Sequence, residues 1–213
     1  RVFYGVVTAI MCWMLHVRSD LMPTIWAMAA VFWLLLAPLW LWRRWPLASN
    51  DMLGYLVGAL LLVPTWAALS ALLARGPWFL FGAMAFAWVA DIAAYFAGRT
   101  FGRRKLAPAI SPGKTWEGVA GALVGVLIYG AAAAGVAHWW PLADSVSLLR
   151  AALVMLVLLA VSVEGDLFES LIKRQAGVKD SSQLLPGHGG ILDRVDSQLA
   201  TLPLWALVVA TWP

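Results

Sequence analysis

Apolar residues fill seven long runs of this chain, and the polar residues gather mainly in two breaks between them. The runs cover about 2–17, 22–42, 53–73, 78–97, 117–140, 148–167 and 195–212. A helix that crosses a bilayer needs roughly 20 mostly apolar residues. The runs come close to that length, although the first is short and the last carries Pro203, a candidate kink. Barrel strands are about half as long. The pattern therefore predicts an all-α, polytopic transmembrane helical bundle that forms one membrane-embedded domain over 1–213. Gly118, Gly121, Gly125 and Gly130 in the fifth run would let a neighbouring helix approach closely.

Composition agrees with a membrane protein. Only 12% of the 213 residues are charged and 62% are hydrophobic, with a mean hydropathy of +0.82. A soluble domain carries about 25% charged residues. The 14 Trp suit anchoring at the headgroup level. A lone cysteine, Cys12, excludes an internal disulfide and reads as a plain buried thiol. The chain opens at Arg1, directly before an apolar run and without an initiator Met or a signal-peptide pattern, so we expect an N-terminally truncated sequence.

Lys and Arg orient the runs. If the runs alternate in direction, twelve cations fall on one side: Arg1, Arg43, Arg44, Arg99, Arg103, Arg104, Lys105, Lys114, Lys173, Arg174, Lys179 and Arg194. The other three, Arg18, Arg75 and Arg150, fall opposite. By the positive-inside rule the polar loops at about 98–116 and 168–194 both face the cytoplasm. Nucleotides are available on that side.

Three groups of residues carry candidate chemistry. In the first loop, Arg99, Arg103, Arg104 and Lys105 read as topology signals, but Ser111-Pro112-Gly113-Lys114-Thr115 places a lysine and two hydroxyls in a turn before a helix. A helix start offers free N–H groups to an anion, and Lys114 adds a positive charge. The spacing is not that of a Walker A loop, and Thr115 also suits a helix cap with Glu117 nearby. Asp91 is the second group. A carboxylate inside an apolar run marks either a polar interior or a hydrogen bond to Tyr95, four residues on.

The third group is EGDLFESLIKRQAGVKDSSQLLPGHGGILDRVD, from Glu164 to Asp196. Asp166 and Glu169 share a helix face, with Ser170 one turn from Asp166. Asp193 and Asp196 repeat the spacing after a Gly-rich turn. Paired carboxylates without a His/Cys cluster suit a hard cation such as Mg²⁺, one ion or two, and not zinc. Lys173, Arg174 and Lys179 suit phosphate charge; His188, between two glycines, reads as a hydrogen-bonding loop residue ahead of a general base.

At these residues the chain resembles the phosphatidate cytidylyltransferases (CDP-diacylglycerol synthases). Their pattern of a serine, a Lys-Arg pair, Lys-Asp, P-x-H-G-G and D-R-x-D is met from Ser170 to Asp196 without a departure, and GRTFGRRKLAPAISPGKTWEG resembles their cytoplasmic loop. The resemblance covers nearly the whole chain, although the family carries further spanning helices before the position of Arg1. It implies an enzyme that converts CTP and phosphatidic acid to CDP-diacylglycerol and pyrophosphate, in an inner (cell) membrane of bacterial type, with its site facing the cytoplasm. It further implies Asp166, Asp193 and Asp196 as metal-site carboxylates with catalytic roles, alongside Lys173 and Arg174. Ser111, Lys114 and Thr115, with Lys179, His188, Arg194 and Asp91, would bind substrate. Substrates and bilayer are the expected partners. A homodimer is left open, and nucleic acid is not expected.

Two other functions remain to weigh. A CTP-dependent lipid-alcohol kinase would transfer the γ-phosphoryl group and need a base for a neutral hydroxyl. A transporter would use intramembrane carboxylates for coupling, but here the charges cluster at one end of the helices.

Overall fold

The computed structural model describes residues 2–47, 51–137, 145–184, 187 and 189–211. Its frame is a set of helical rods that follow the seven apolar runs. They are α1 (Val2–Val17); one rod made of α2 (Met22–Val31), a π-helical turn (Phe32–Leu36) and α3 (Ala37–Arg43); α4 (Asp51–Ala74); α5 (Pro77–Phe101); α6 (Trp116–Ala137); α7 (Ser145–Gln175); and α8 (Leu192–Thr211). Five rods are long and apolar enough to cross a membrane, counted among the described residues. The first, α1, has 16 residues and is shorter than a span.

The last rod, α8, differs for a physical reason. It packs against α2, α4, α5 and α7, and every residue from Ser197 to Ala206 is buried. Shielded from lipid by its neighbours, it carries polar side chains that a lipid-facing helix would not. Thr201 donates to the Ser197 carbonyl at 2.9 Å, and Gln198 reaches the Met84 carbonyl on α5 at 2.9 Å. Thr65 of α4 donates to the Leu61 carbonyl at 2.7 Å and leans toward the Leu199 carbonyl at 3.3 Å. Pro203 lies within α8, which continues as helix to Thr211.

The glycines of α6 act as the sequence predicts. A Cβ at Gly118 would sit 3.0 Å from the Ala94 carbonyl oxygen, one at Gly125 would sit 2.7 Å from the Ala93 Cβ, and one at Gly121 would collide with Ala97. Close approach of α5 and α6 therefore requires these glycines. Gly130 faces α7 instead, against Met155.

Two expectations need correction. The loop expected at 168–194 begins later, because α7 continues as helix to Gln175. That extension is held by Phe168, which is buried against Phe32, Trp33 and Trp40 with ring centroids 5.5, 5.7 and 5.8 Å away. Edge-to-face pairs of this kind add about 0.5–1.5 kcal/mol each beyond simple burial. Lys173 and Arg174 thus sit on a helix. The 98–116 segment is likewise not a plain loop: α5 runs to Phe101, and a two-stranded antiparallel hairpin follows, with β1 (Lys105–Ala107) paired to β2 (Ser111–Thr115). The Ser111–Thr115 motif is therefore a strand leading into α6, not a turn with an open helix start.

Candidate active site

The hairpin owes its position to Glu117 and Thr115. Glu117, in the first turn of α6, accepts the backbone N–H groups of Arg103 (3.0 Å) and Arg104 (3.1 Å), and Trp116 N–H donates to the Arg104 carbonyl at 3.0 Å. Thr115 caps α6 by accepting the Gly118 N–H on its Oγ1 at 3.1 Å. Lys114, one residue earlier in β2, is thereby aimed at α7. Its Nζ lies 2.7 Å from Asp166 Oδ2 and donates to the Val163 carbonyl at 3.2 Å. Arg174, at the end of α7, makes a long 3.5 Å contact with the Ile110 carbonyl in the hairpin turn.

These contacts close a cavity of ≈ 450 Å³ between α5, the hairpin, α6 and α7. Its polar lining includes Asp91, Ser111, Lys114, Thr115 and Asp166. The Tyr95 hydroxyl, offered by the sequence as a partner for Asp91, instead accepts Arg99 at 2.7 Å. Asp91 therefore opens into the cavity, in electrostatic range of Asp166, Asp196 and Lys114.

A second cluster lies where α7 meets the loop before α8. Lys173 Nζ sits 2.6 Å from Glu169 Oε2 and 2.7 Å from Asp193 Oδ1. The other Asp193 oxygen accepts Ser181 N–H (2.9 Å), Ser181 Oγ (2.7 Å) and Gly190 N–H (2.7 Å). Asp193 stands at the loop end of α8, ahead of its apolar stretch. Burial there works to raise its pKa, but Lys173 and the Gly190 and Ser181 donors outweigh that and hold it well below the usual carboxylate range. Gly189, with φ at +79°, shapes the turn: a Cβ there would stand 2.8 Å from Asp193 Oδ2.

Asp196 connects the two clusters, in electrostatic range of Asp166, Lys114 and Lys173. The two helices are drawn together beside it at Gly165, where a Cβ would stand 2.9 Å from the Asp196 carbonyl oxygen. The site thus joins two lysines to a row of carboxylates, on helices distant in sequence.

Comparison with known proteins decides the family. The profile of the Cytidylyltransferase family matches residues 2–212. The chain belongs to that family. It is 42% identical over 225 aligned positions to a phosphatidate cytidylyltransferase of Pseudomonas aeruginosa, with 98% of this chain and 77% of the relative covered. A phosphatidate cytidylyltransferase of Haemophilus influenzae is 48% identical over 56% of this chain and 41% of its own length. That of Brucella suis is 41% identical over 76% of this chain and 56% of its own.

Within this family member, the residues expected from sequence fall into three sets. Asp91, Ser111, Lys114, Thr115 and Asp166 share one cavity. Lys173 and Asp193 are ion-paired, with Asp196 between the clusters. Arg174, Lys179 and Arg194 are exposed at the same end of the bundle. His188 lies outside the described residues. Sequence reasoning paired Glu169 with Asp166 as a carboxylate for a cation, whereas the structure ion-pairs it with Lys173, and it left out Glu117, which fixes the hairpin. Glu169 was legible as a partner of Lys173 four residues on; the bond from Glu117 back to Arg103 and Arg104 had no signal in the sequence.

The donor set can be weighed against a cation. Among the described residues no three His, Cys, Asp or Glu side chains stand close enough to hold one as they are. Asp166 and Asp196 project from adjoining helices, and Lys114 already supplies a positive charge at 2.7 Å from Asp166. Oxygen donors of this kind suit a hard ion such as Mg²⁺. Asp193 has both oxygens engaged.

Proposed function

We propose that the protein is a phosphatidate cytidylyltransferase, forming CDP-diacylglycerol and pyrophosphate from CTP and phosphatidic acid. The observation that carries the reading is the Lys114–Asp166 contact of 2.7 Å, which joins the hairpin motif to the acidic stretch in one cavity. Both reactants are polyanions, so the site must offset charge and align two phosphates. A phosphatidate oxygen attacks the α-phosphorus of CTP; the bond to the β-phosphate oxygen breaks, and pyrophosphate leaves with the electron pair. A phosphate monoester is largely ionised near neutral pH, its second pKa being about 6, so the attacking oxygen needs no strong base. Positioning is the main task of the protein.

Lys114 would exchange Asp166 for a phosphate oxygen, while Ser111 donates from the same strand. Lys173 sits where it can offset charge beside Asp196. Asp166 and Asp196 would hold Mg²⁺, with Asp193 joining them on giving up Lys173. Bound there, the ion supplies charge neutralisation at the phosphates. Arg174, Lys179 and Arg194 would attract nucleotide to that end of the bundle. We place this end on the cytoplasmic face of a bacterial inner membrane, since twelve of the fifteen Lys and Arg of the sequence fall on its side if the apolar runs alternate in direction.

The test uses the full-length protein in detergent or nanodiscs with labelled CTP, phosphatidic acid and Mg²⁺. CDP-lipid and pyrophosphate are the expected products. CDP with a phosphorylated lipid would make it a kinase, and CTP left unconsumed while a substrate crosses sealed vesicles would make it a transporter.

A further inference from the structure

A groove of ≈ 610 Å³ lies where α5 meets α6, and it shares no lining residue with the active-site cavity. Ala93, Ala97, Ala120 and Gly121 line it with little bulk, together with Phe96 and Val124. Towards the hairpin it ends at Thr100, Phe101 and Glu117. The apolar span of α5 stops at Phe101 and that of α6 starts at Trp116. Both of these rings are exposed. Directly beyond them stand Arg103, Arg104 and Lys105, also exposed. Among the described residues these three side chains make no ion pair. Glu117 is the one acid that lines the groove, and its carboxylate accepts the Arg103 and Arg104 N–H groups. Both arginines therefore start at the head of the groove, and the Arg104 charge lies in electrostatic range of Glu117. Three cations against one carboxylate leave that head positive.

We propose that this groove binds one anionic phospholipid of the surrounding bilayer, with its phosphate at Arg103 and Arg104 and an acyl chain along the small residues of α5 and α6. The lipid is a resident ligand, held apart from the cavity where the reaction is placed. Exposed rings at the ends of two spans, followed at once by cations, match the level of lipid headgroups. Long basic side chains reach that level from a helix end while their stems stay on apolar surface. A zwitterionic lipid could fill the same groove, but its own positive group would cancel most of what the arginines add. A second copy of this chain fits the face less well. A two-fold contact is self-complementary, so it would bring three further cations to the same level, and like charges across an interface are costly.

The test uses the full-length protein in phosphatidylcholine nanodiscs that contain a little phosphatidylglycerol with a photoreactive group in one acyl chain. Labelling is expected within 93–101 and 117–124. Excess plain phosphatidylglycerol should suppress it at concentrations at least about tenfold lower than excess phosphatidylcholine, as two favourable cations require. The double variant Arg103→Gln/Arg104→Gln keeps the backbone bonds to Glu117 and leaves ten of the twelve cations on that side. It should weaken the hold on phosphatidylglycerol about thirtyfold, at about fivefold for each cation near a membrane surface. Equal suppression by the two lipids, labelling confined to other helices, or undiminished labelling of the double variant overturns the proposal. So does efficient disulfide crosslinking between two copies of a Val124→Cys variant that also carries Cys12→Ala, because a second chain would then occupy the groove. If the double variant fails to fold, the two competitors on the wild-type protein still decide. None of these readings needs turnover, so they hold whether or not the protein makes CDP-lipid.

Discussion

Asp166 and Asp193 each contact a lysine at 2.7 Å, yet the two pairs are built for different work. Around Asp166 the side chains stay partly open, with Lys114 22% and Asp166 32% exposed, and the pair borders a cavity. Around Asp193 the exposure falls to 7%, and four donors fill its two oxygens. An open pair can trade partners with an incoming polyanion at small desolvation cost. A closed pair does so only by first giving up a buried bond, and until then it pins the loop after α7 to the start of α8. The same residue types thus give a reactive contact in one place and a clamp in the other, and burial makes the difference.

The comparison can be broken by substitution. Asp193→Ala should have the largest effect on stability, since removing one partner of a buried ion pair costs about 3–5 kcal/mol. Thermal unfolding in detergent would measure it, and limited proteolysis should show cleavage in the 176–191 loop. An unchanged melting temperature would mean the clamp is not structural.

Asp166→Asn should leave the melting temperature within about a degree or two of wild type, as expected for a partly exposed pair, while lowering kcat by about 10²–10³, the scale for losing one preorganised charge interaction. The assay is CDP-lipid formation. If Asp166→Asn unfolds the protein and Asp193→Ala does not, the two roles are reversed.

Lys114→Met should act on the nucleotide. We expect a loss of about 10²-fold in kcat/KM for CTP, with Lys114→Arg recovering part of it; equal activity of Met and Arg variants would remove Lys114 from phosphate binding. The smallest effect is expected of Thr115→Ala, which removes the α6 cap and should cost about 1 kcal/mol, read as a modest drop in melting temperature.

Much of this was legible in sequence because lipid imposes simple rules. Seven apolar runs predicted the rods, and the glycines of α6 predicted its close packing, since only small residues let backbones approach. Lys114, Asp91 and Asp166 were singled out because charge in an apolar chain needs a reason. The errors came where tertiary contacts override local pattern. The hairpin at 105–115 is too short for periodicity to reveal, and the last two turns of α7 read as loop because they are polar, yet Phe168 anchors them among aromatic rings. The polar residues of α8 made sense only once its neighbours were seen to cover it.

By itself the sequence determined the membrane architecture, the charge asymmetry and the residue types of the site, because each follows from composition and from spacing along one chain. It could not determine which acid meets which lysine. Lys114 lies 52 positions from Asp166 and 59 from Lys173, and only the packing of α5, α6, α7 and α8 brings it to the first of these. The same packing buried Asp193 and left Asp166 open. Partner and solvent access, which decide whether a carboxylate reacts or clamps, are properties of the assembled helices.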